Sequence, residues 1–192
     1  DFSFEYVKGK DDWYNNNVVV AKDPAVEYED GKSYEFPAAP YVYDAKGNGY
    51  AEVKTMANPT KEWASQIFFT IPENLAGKQV AISMKVKASK AVTAKAQRHQ
   101  DNTGSTYMDN YPDANIDFTT EWNKVSVIVD TKKENGEAVD IAKCFVLNLA
   151  VDAEALTFDF DSLKFEQYFA PVDYGELIEI PLEGTVVMER DF

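Results

Sequence analysis

Residues 79–88 alternate strictly, with Val80, Ile82, Met84, Val86 and Ala88 set against Gln79, Ala81, Ser83, Lys85 and Lys87. A two-residue period sends successive side chains to opposite faces of a strand, whereas on a helix the same spacing would scatter them around the axis. This run is therefore a half-buried β-strand. Residues 65–71 repeat the pattern, Gln66, Phe68 and Thr70 against Ile67, Phe69 and Ile71, and stop at Pro72. Further short runs at 91–100, 125–129, 144–150 and 156–165 are separated by turn chemistry: Pro72 to Gly77, Asp101-Asn102-Thr103-Gly104-Ser105, and a polar stretch around Gly136. A polar, tyrosine-bearing loop is expected after Ser105. No amphipathic helix of ten or more residues is expected. Many short strands at even spacing predict an all-β chain, an antiparallel β-sandwich in which one face of each sheet packs and the other is available.

The first fifty residues are less regular, with Val18-Val19-Val20 and residues 26–28 as expected strands and Pro24, Pro37 and Pro40 limiting their length. Two further runs, 176–180 and 185–188, lie beyond Pro171. The expected division is a β-sandwich over residues 1–170 and a C-terminal extension or linker over 171–192.

Composition narrows the function. The 192 residues suit one domain, and 45% hydrophobic with 14% aromatic residues marks a chain that folds. Thirty-three acidic against 19 basic residues give a net charge of −14, which repels phosphate and anionic lipid. Nucleic acid and membrane surfaces are accordingly not expected partners; neutral partners fit better. One cysteine, Cys144, and one histidine, His99, supply neither a disulfide nor a zinc cluster, although calcium could be held by carboxylates and carbonyls. No apolar run approaches the roughly 18 residues of a membrane span. The start at Asp1, without a basic and apolar leader, reads as a mature protein or an excised domain.

Nucleophilic hydrolysis would need His99 as its base, and no G-x-S-x-G element accompanies it. Cys144, amid Phe145, Val146 and Leu147, reads as an inert core thiol. Asp159, Asp161 and Glu166 form the tightest acidic cluster; alternation with Phe158 and Phe160 makes a solvated strand face the leading reading, ahead of calcium ligation and catalysis. Gly47-Asn48-Gly49 is a turn, not a phosphate loop. The distinctive feature is the number of aromatic residues in polar settings: Trp13-Tyr14 among asparagines, Tyr41 and Tyr43, Trp63, and Tyr107 to Tyr111. A sugar presents an apolar face of C–H bonds and a rim of hydroxyls, so a flat ring beside an amide, as in Trp63 with Gln66, is the combination that binds it.

Five segments carry a family pattern between about residues 48 and 166: Trp63-Ala64-Ser65-Gln66; residues 75–89; Phe118-Thr119-Thr120-Glu121-Trp122-Asn123-Lys124-Val125; Phe145-Val146-Leu147-Asn148-Leu149; and Phe158-Asp159-Phe160-Asp161-Ser162-Leu163. Their order and spacing resemble the family-four, family-nine and family-twenty-two group of carbohydrate-binding modules. The resemblance implies a jelly-roll β-sandwich, non-catalytic, with a groove that takes soluble β-glycans such as xylan or mixed-linkage β-glucan. It assigns Trp63 as a stacking ring, Gln66 as its hydrogen-bonding neighbour, and Tyr107 or Tyr111 as a second ring pinching the same sugar. Gln97, His99 and Asn148 join the polar set if their face is the groove, while Trp122 matches the family's structural tryptophan.

A structural calcium between the first and last strands is also implied, with Glu5 and Asp161 as its matching positions; where the family carries paired aspartates this chain has Asp161-Ser162. No other cofactor is expected. The expected partners are polysaccharide or oligosaccharide and a covalently linked catalytic domain or further modules, in an extracellular or cell-surface setting. Glu189-Arg190-Asp191-Phe192 echoes the opening Asp1-Phe2-Ser3-Phe4-Glu5, as at the start of another module. Two rival readings are a glycosidase using Asp159, Asp161 or Glu166, and a structural or adhesive surface domain that binds no glycan.

Overall fold

The computed structural model describes residues 2–3, 12–20, 35–103, 106–136 and 138–171. Glu5, the strand expected at 26–28 and the tail beyond 171 lie outside them. A short helix α1 (Asp12–Asn17) and thirteen strands follow one another: β1 (Phe2–Ser3), β2 (Val18–Val20), β3 (Tyr41–Tyr43), β4 (Gly49–Lys54), β5 (Gln66–Thr70), β6 (Gln79–Ala88), β7 (Val92–His99), β8 (Tyr107–Phe118), β9 (Asn123–Asp130), β10 (Lys132–Asn135), β11 (Ala138–Ile141), β12 (Cys144–Asn148) and β13 (Thr157–Gln167). They form two antiparallel sheets, β3-β4-β13-β6-β9 with β1 added to β13, and β2-β5-β12-β7-β8; β10 and β11 make a separate hairpin. The all-β sandwich is as expected. No helix among the described residues is long and apolar enough to cross a membrane.

The alternating residues of β6 supply the core from one sheet, Val80, Ile82, Met84 and Val86, together with Phe158 and Phe160 of β13. The facing sheet contributes Ile67 and Phe69 of β5, Phe145 and Leu147 of β12, and Ile116 and Phe118 of β8. Edge-to-face rings lock the two layers: Phe118 on Phe158 at 5.0 Å between centroids and Phe69 on Phe160 at 5.6 Å.

Two local departures from alternation matter for the site. Residues 107–111, expected as a loop, are the start of the twelve-residue β8. Pro112 is tolerated there because β8 is the edge strand of its sheet, where one side of the backbone needs no partner. The second departure is a bulge in β13 between Asp161 and Lys164, with Ser162 at φ 54, a left-handed conformation uncommon outside glycine. The Asp161 carboxylate accepts the Ser162 N–H at 2.7 Å and supports the turn.

Candidate functional site

The face of the β12 sheet turned away from the main core is built in rows by strand register. One row crosses Val19, Phe68, Val146, Gln97 and Asn110; the next crosses Thr70, Cys144, His99 and Tyr107; on the other side Gln66 faces Asn148. This face is not open. Val19, Phe68, Cys144 and Val146 form a second apolar cluster, capped by Phe36, whose ring lies 5.2 Å from that of Phe68. Phe36 reaches it because Pro37 and Ala38 run beside β2, Val20 donating to the Pro37 carbonyl at 3.0 Å. Burial on both faces explains why β12 reads as a nearly continuous apolar run and why Phe68 interrupts the polar side of β5.

Polar side chains bordering that cluster join in a line of amides. Gln66 Nε2 donates to Asn148 Oδ1 at 2.8 Å and to Gln97 Oε1 at 3.1 Å, and Gln97 Nε2 donates to Asn110 Oδ1 at 3.0 Å. His99 Nε2 lies 3.3 Å from Gln97 Oε1, so the ring donates through Nε2 and carries its lone pair on Nδ1. That Nδ1 is buried and unpartnered among the described residues. Burial holds the imidazole well below its usual pKa, at about 4, against the opposing charge of Asp101. His99 is therefore neutral at pH 7.

Gln66, Gln97, His99 and Asn148, all named from the sequence, thus share one face, but at 2–7% exposure they lie beneath its surface and do not line an open groove. The exposed members are Asn110, which the sequence reading missed, and the rings of Trp63 (51%) and Tyr107 (53%). Trp63 sits on a 3₁₀ turn, Glu62–Ala64, tied to the end of β12 by Leu149 N–H on the Ser65 carbonyl (2.8 Å) and to β7 by the Lys95–Glu62 ion pair (3.0 Å). The Lys61 ammonium stands 5.7 Å from its ring. Tyr107 packs edge-on against His99 at 5.7 Å.

Two expectations need correction. Tyr111 is 4% exposed in the main core, tilted against Phe145 with the Arg98 guanidinium 4.4 Å over its ring, so it offers no stacking face. Burial also pushes its hydroxyl pKa well up. Nor can one sugar meet both Gln66 and Tyr107: Tyr107 stands three strands and four residues along from Gln66, a diagonal of about 19 Å at ordinary strand spacings.

Within the acidic cluster Asp159 departs from the expected solvated face: it is buried against Lys87 Nζ at 3.0 Å, whereas Glu166 is exposed and pairs with Lys164 at 2.7 Å. The described residues contain no group of three or more His, Cys, Asp or Glu side chains placed to hold a metal. Asp161, with one oxygen on Ser162 N–H, does not by itself provide the six to eight oxygens calcium takes.

No family profile matches the chain, and no curated protein matches it. Solved structures do. A structure described as "CBM4 structure and function" aligns with a TM-score of 0.51 and 16% identity, over 79% of this chain and 95% of that one. The N-terminal cellulose-binding domain of Cellulomonas fimi β-1,4-glucanase C aligns at 0.47 and 14%, over 82% and 94%. The CBM22-1 xylan-binding domain from Paenibacillus barcinonensis Xyn10C aligns at 0.39 and 18%, over 66% and 78%. At these identities the likeness is one of fold: the chain has the β-sandwich fold found in carbohydrate-binding modules.

Proposed function

We propose that this chain is a non-catalytic glycan-binding module that uses the outer face of the β12 sheet. The observation that carries the reading is the line of linked amides, Asn148-Gln66-Gln97-Asn110, running between the exposed rings of Trp63 and Tyr107. A half-exposed indole on a short, tethered turn gives a sugar ring a rigid platform with little ordering cost, and amides are the neutral donors and acceptors that hydroxyls require. The ligand class on this reading is a soluble β-glycan, xylan or mixed-linkage β-glucan, whose chain is long enough to meet Trp63 and Tyr107 at separate residues. Trp63, Tyr107 and Asn110 make the contact, and the buried amides with His99 keep that surface rigid. A linked glycoside hydrolase or surface uptake system, and an extracellular or cell-surface setting, complete the proposal.

Stacking with a few hydrogen bonds in a wet site commonly gives roughly micromolar to millimolar affinity. The test is electrophoresis of the full chain through gels containing xylan, mixed-linkage β-glucan, glucomannan or no polysaccharide. Selective retardation is expected, weakened about tenfold or more in Trp63→Ala and less in Tyr107→Ala. Equal mobility in every gel, or retardation unchanged by Trp63→Ala, would sink the reading in favour of a structural or adhesive domain. Release of reducing sugar, lost in Asp161→Asn, would instead indicate a glycosidase.

A further inference from the structure

The opposite sheet carries a second set of groups that the site above does not use. Where the β4–β13 ladder stops at Ala51 and Phe160, the bulge at Ser162 turns β13 aside and a cavity of about 850 Å³ opens. Its floor includes Phe69, Met84 and Phe160, and its rim includes Tyr50, Trp122, Lys85 and Lys124. A strained residue at a bulge that opens a cavity is a common mark of a functional site. The volume lies within the range of small-molecule sites, roughly 300–1,000 Å³.

Two features of the rim point to a ligand. Lys85 and Lys124 are direct cross-strand partners, both exposed, and among the described residues neither is in an ion pair. Like charges placed opposite one another destabilise a sheet. In a chain with 33 acidic residues such a pair could readily be neutralised, as its neighbours are: Lys54 by Glu52, Lys87 by Asp159 and Lys164 by Glu166. Of the carboxylates that line the cavity, Asp161 stands opposite Lys85 across the β13–β6 pair without forming an ion pair with it and accepts the Ser162 N–H, and Asp44 accepts from Lys46 N–H, Asn48 N–H and the Asn48 side-chain amide.

The second feature is Trp122, 40% exposed and held rather than loose. Tyr50 meets it edge-on at 5.6 Å, and the Lys87 ammonium, anchored on Asp159, stands 5.3 Å from its ring. Trp122, matched from the sequence to a structural tryptophan, thus also presents an exposed ring on the cavity rim.

From these juxtaposed groups we infer a second carbohydrate site, for a carboxylated sugar such as a uronic acid unit. The pyranose ring stacks on Trp122, and its carboxylate is taken by Lys85 and Lys124, whose mutual repulsion it relieves. This site is independent of the amide line around Gln97 and lies on the other sheet.

The test is titration of the full chain, followed by amide and indole NMR shifts, with glucuronic acid, a glucuronate-substituted xylo-oligosaccharide, xylotriose and acetate. Glucuronic acid is expected to shift the Trp122 indole, to bind more weakly as salt rises, and to lose about fivefold or more in affinity in Lys85→Ser/Lys124→Ser. Lys85→Arg/Lys124→Arg, which keeps both charges, should retain most of the binding and shows that loss in the serine variant is not misfolding. Equal binding of xylotriose at Trp122 would overturn the role of charge. Acetate binding as well as glucuronate would reduce the site to a bare anion site, and no Trp122 shift with either acidic sugar would remove it. Trp63→Ala leaves these shifts unchanged, so failure of the amide-line site and of this one are read separately.

Discussion

Acidification from pH 7 to pH 4 is expected to destabilise this domain by about 3 kcal/mol through a single imidazole. His99 is 2% exposed on the β12 sheet, and its pKa falls from 6.5 to about 4 because burial disfavours the cation. In the unfolded chain the ring regains its ordinary affinity for a proton, so between these two values the unfolded state binds more protons than the folded one. The contribution is therefore complete above pH 6.5 and is lost as pH falls toward 4. The groups facing the ring do not reverse this: Phe68 and Tyr107 are neutral rings, Gln97 is an amide, and Cys144 across the strand is a thiol pushed up to about 12 by burial. Only Asp101 opposes it, by raising the pKa. Urea denaturation at pH 7 and pH 4, for the native chain and His99→Gln, checks the effect. Carboxylates titrate in both proteins, so the difference between the two pH dependences belongs to His99. Identical dependences would mean that water reaches the ring and the face is open.

Gln97→Ala should cost about 2–3 kcal/mol, more than the loss of its one extra methylene accounts for. Gln97 accepts from Gln66 and from His99 and donates to Asn110, so it is the junction of the amide line. Truncation removes the partner of the His99 Nε2–H, leaving a buried donor next to an Nδ1 that already has none. Gln66 keeps Asn148. Asn110→Ala, at the exposed end of the same line, should cost under about 1 kcal/mol because water replaces the lost bond. Equilibrium denaturation at pH 7 measures both. Equal small costs would show a hydrated groove floor; a large cost at Gln97 alone would show a dry one whose role is to hold the surface above it.

The readable parts of this chain were the ones with local causes. Alternation in residues 79–88 marked β6 and its buried face, because on a regular strand parity alone decides which side a residue takes. The same parity put Gln97 with His99, and Asn148 apart from Phe145 and Leu147, before any pairing was known. Parity failed where the backbone is irregular. Between β7 and β8 the register shifts twice, so that Asn110 lies beside Gln97 on the outer face while adjacent Tyr111 turns into the core. In β13 the Ser162 bulge ends simple alternation; Asp159, before the bulge, keeps the face parity gives it but is covered there and paired with Lys87.

Sequence by itself thus determined the regularly alternating strands such as β6, the antiparallel sandwich and the set of polar residues shared by one face, but not that β8 begins at Tyr107. Tertiary structure decided which of them meet. Gln97 and Asn148 lie 31 and 82 residues from Gln66 along the chain, and only the β5-β12-β7 register makes them its hydrogen-bonded neighbours. The pairing of Lys85 with Lys124 beside Trp122 is likewise a product of register and of the cavity at the bulge. The physical reason is range: side-chain period is fixed by the backbone within a few residues, whereas register and bulges are selected by packing between segments far apart in sequence.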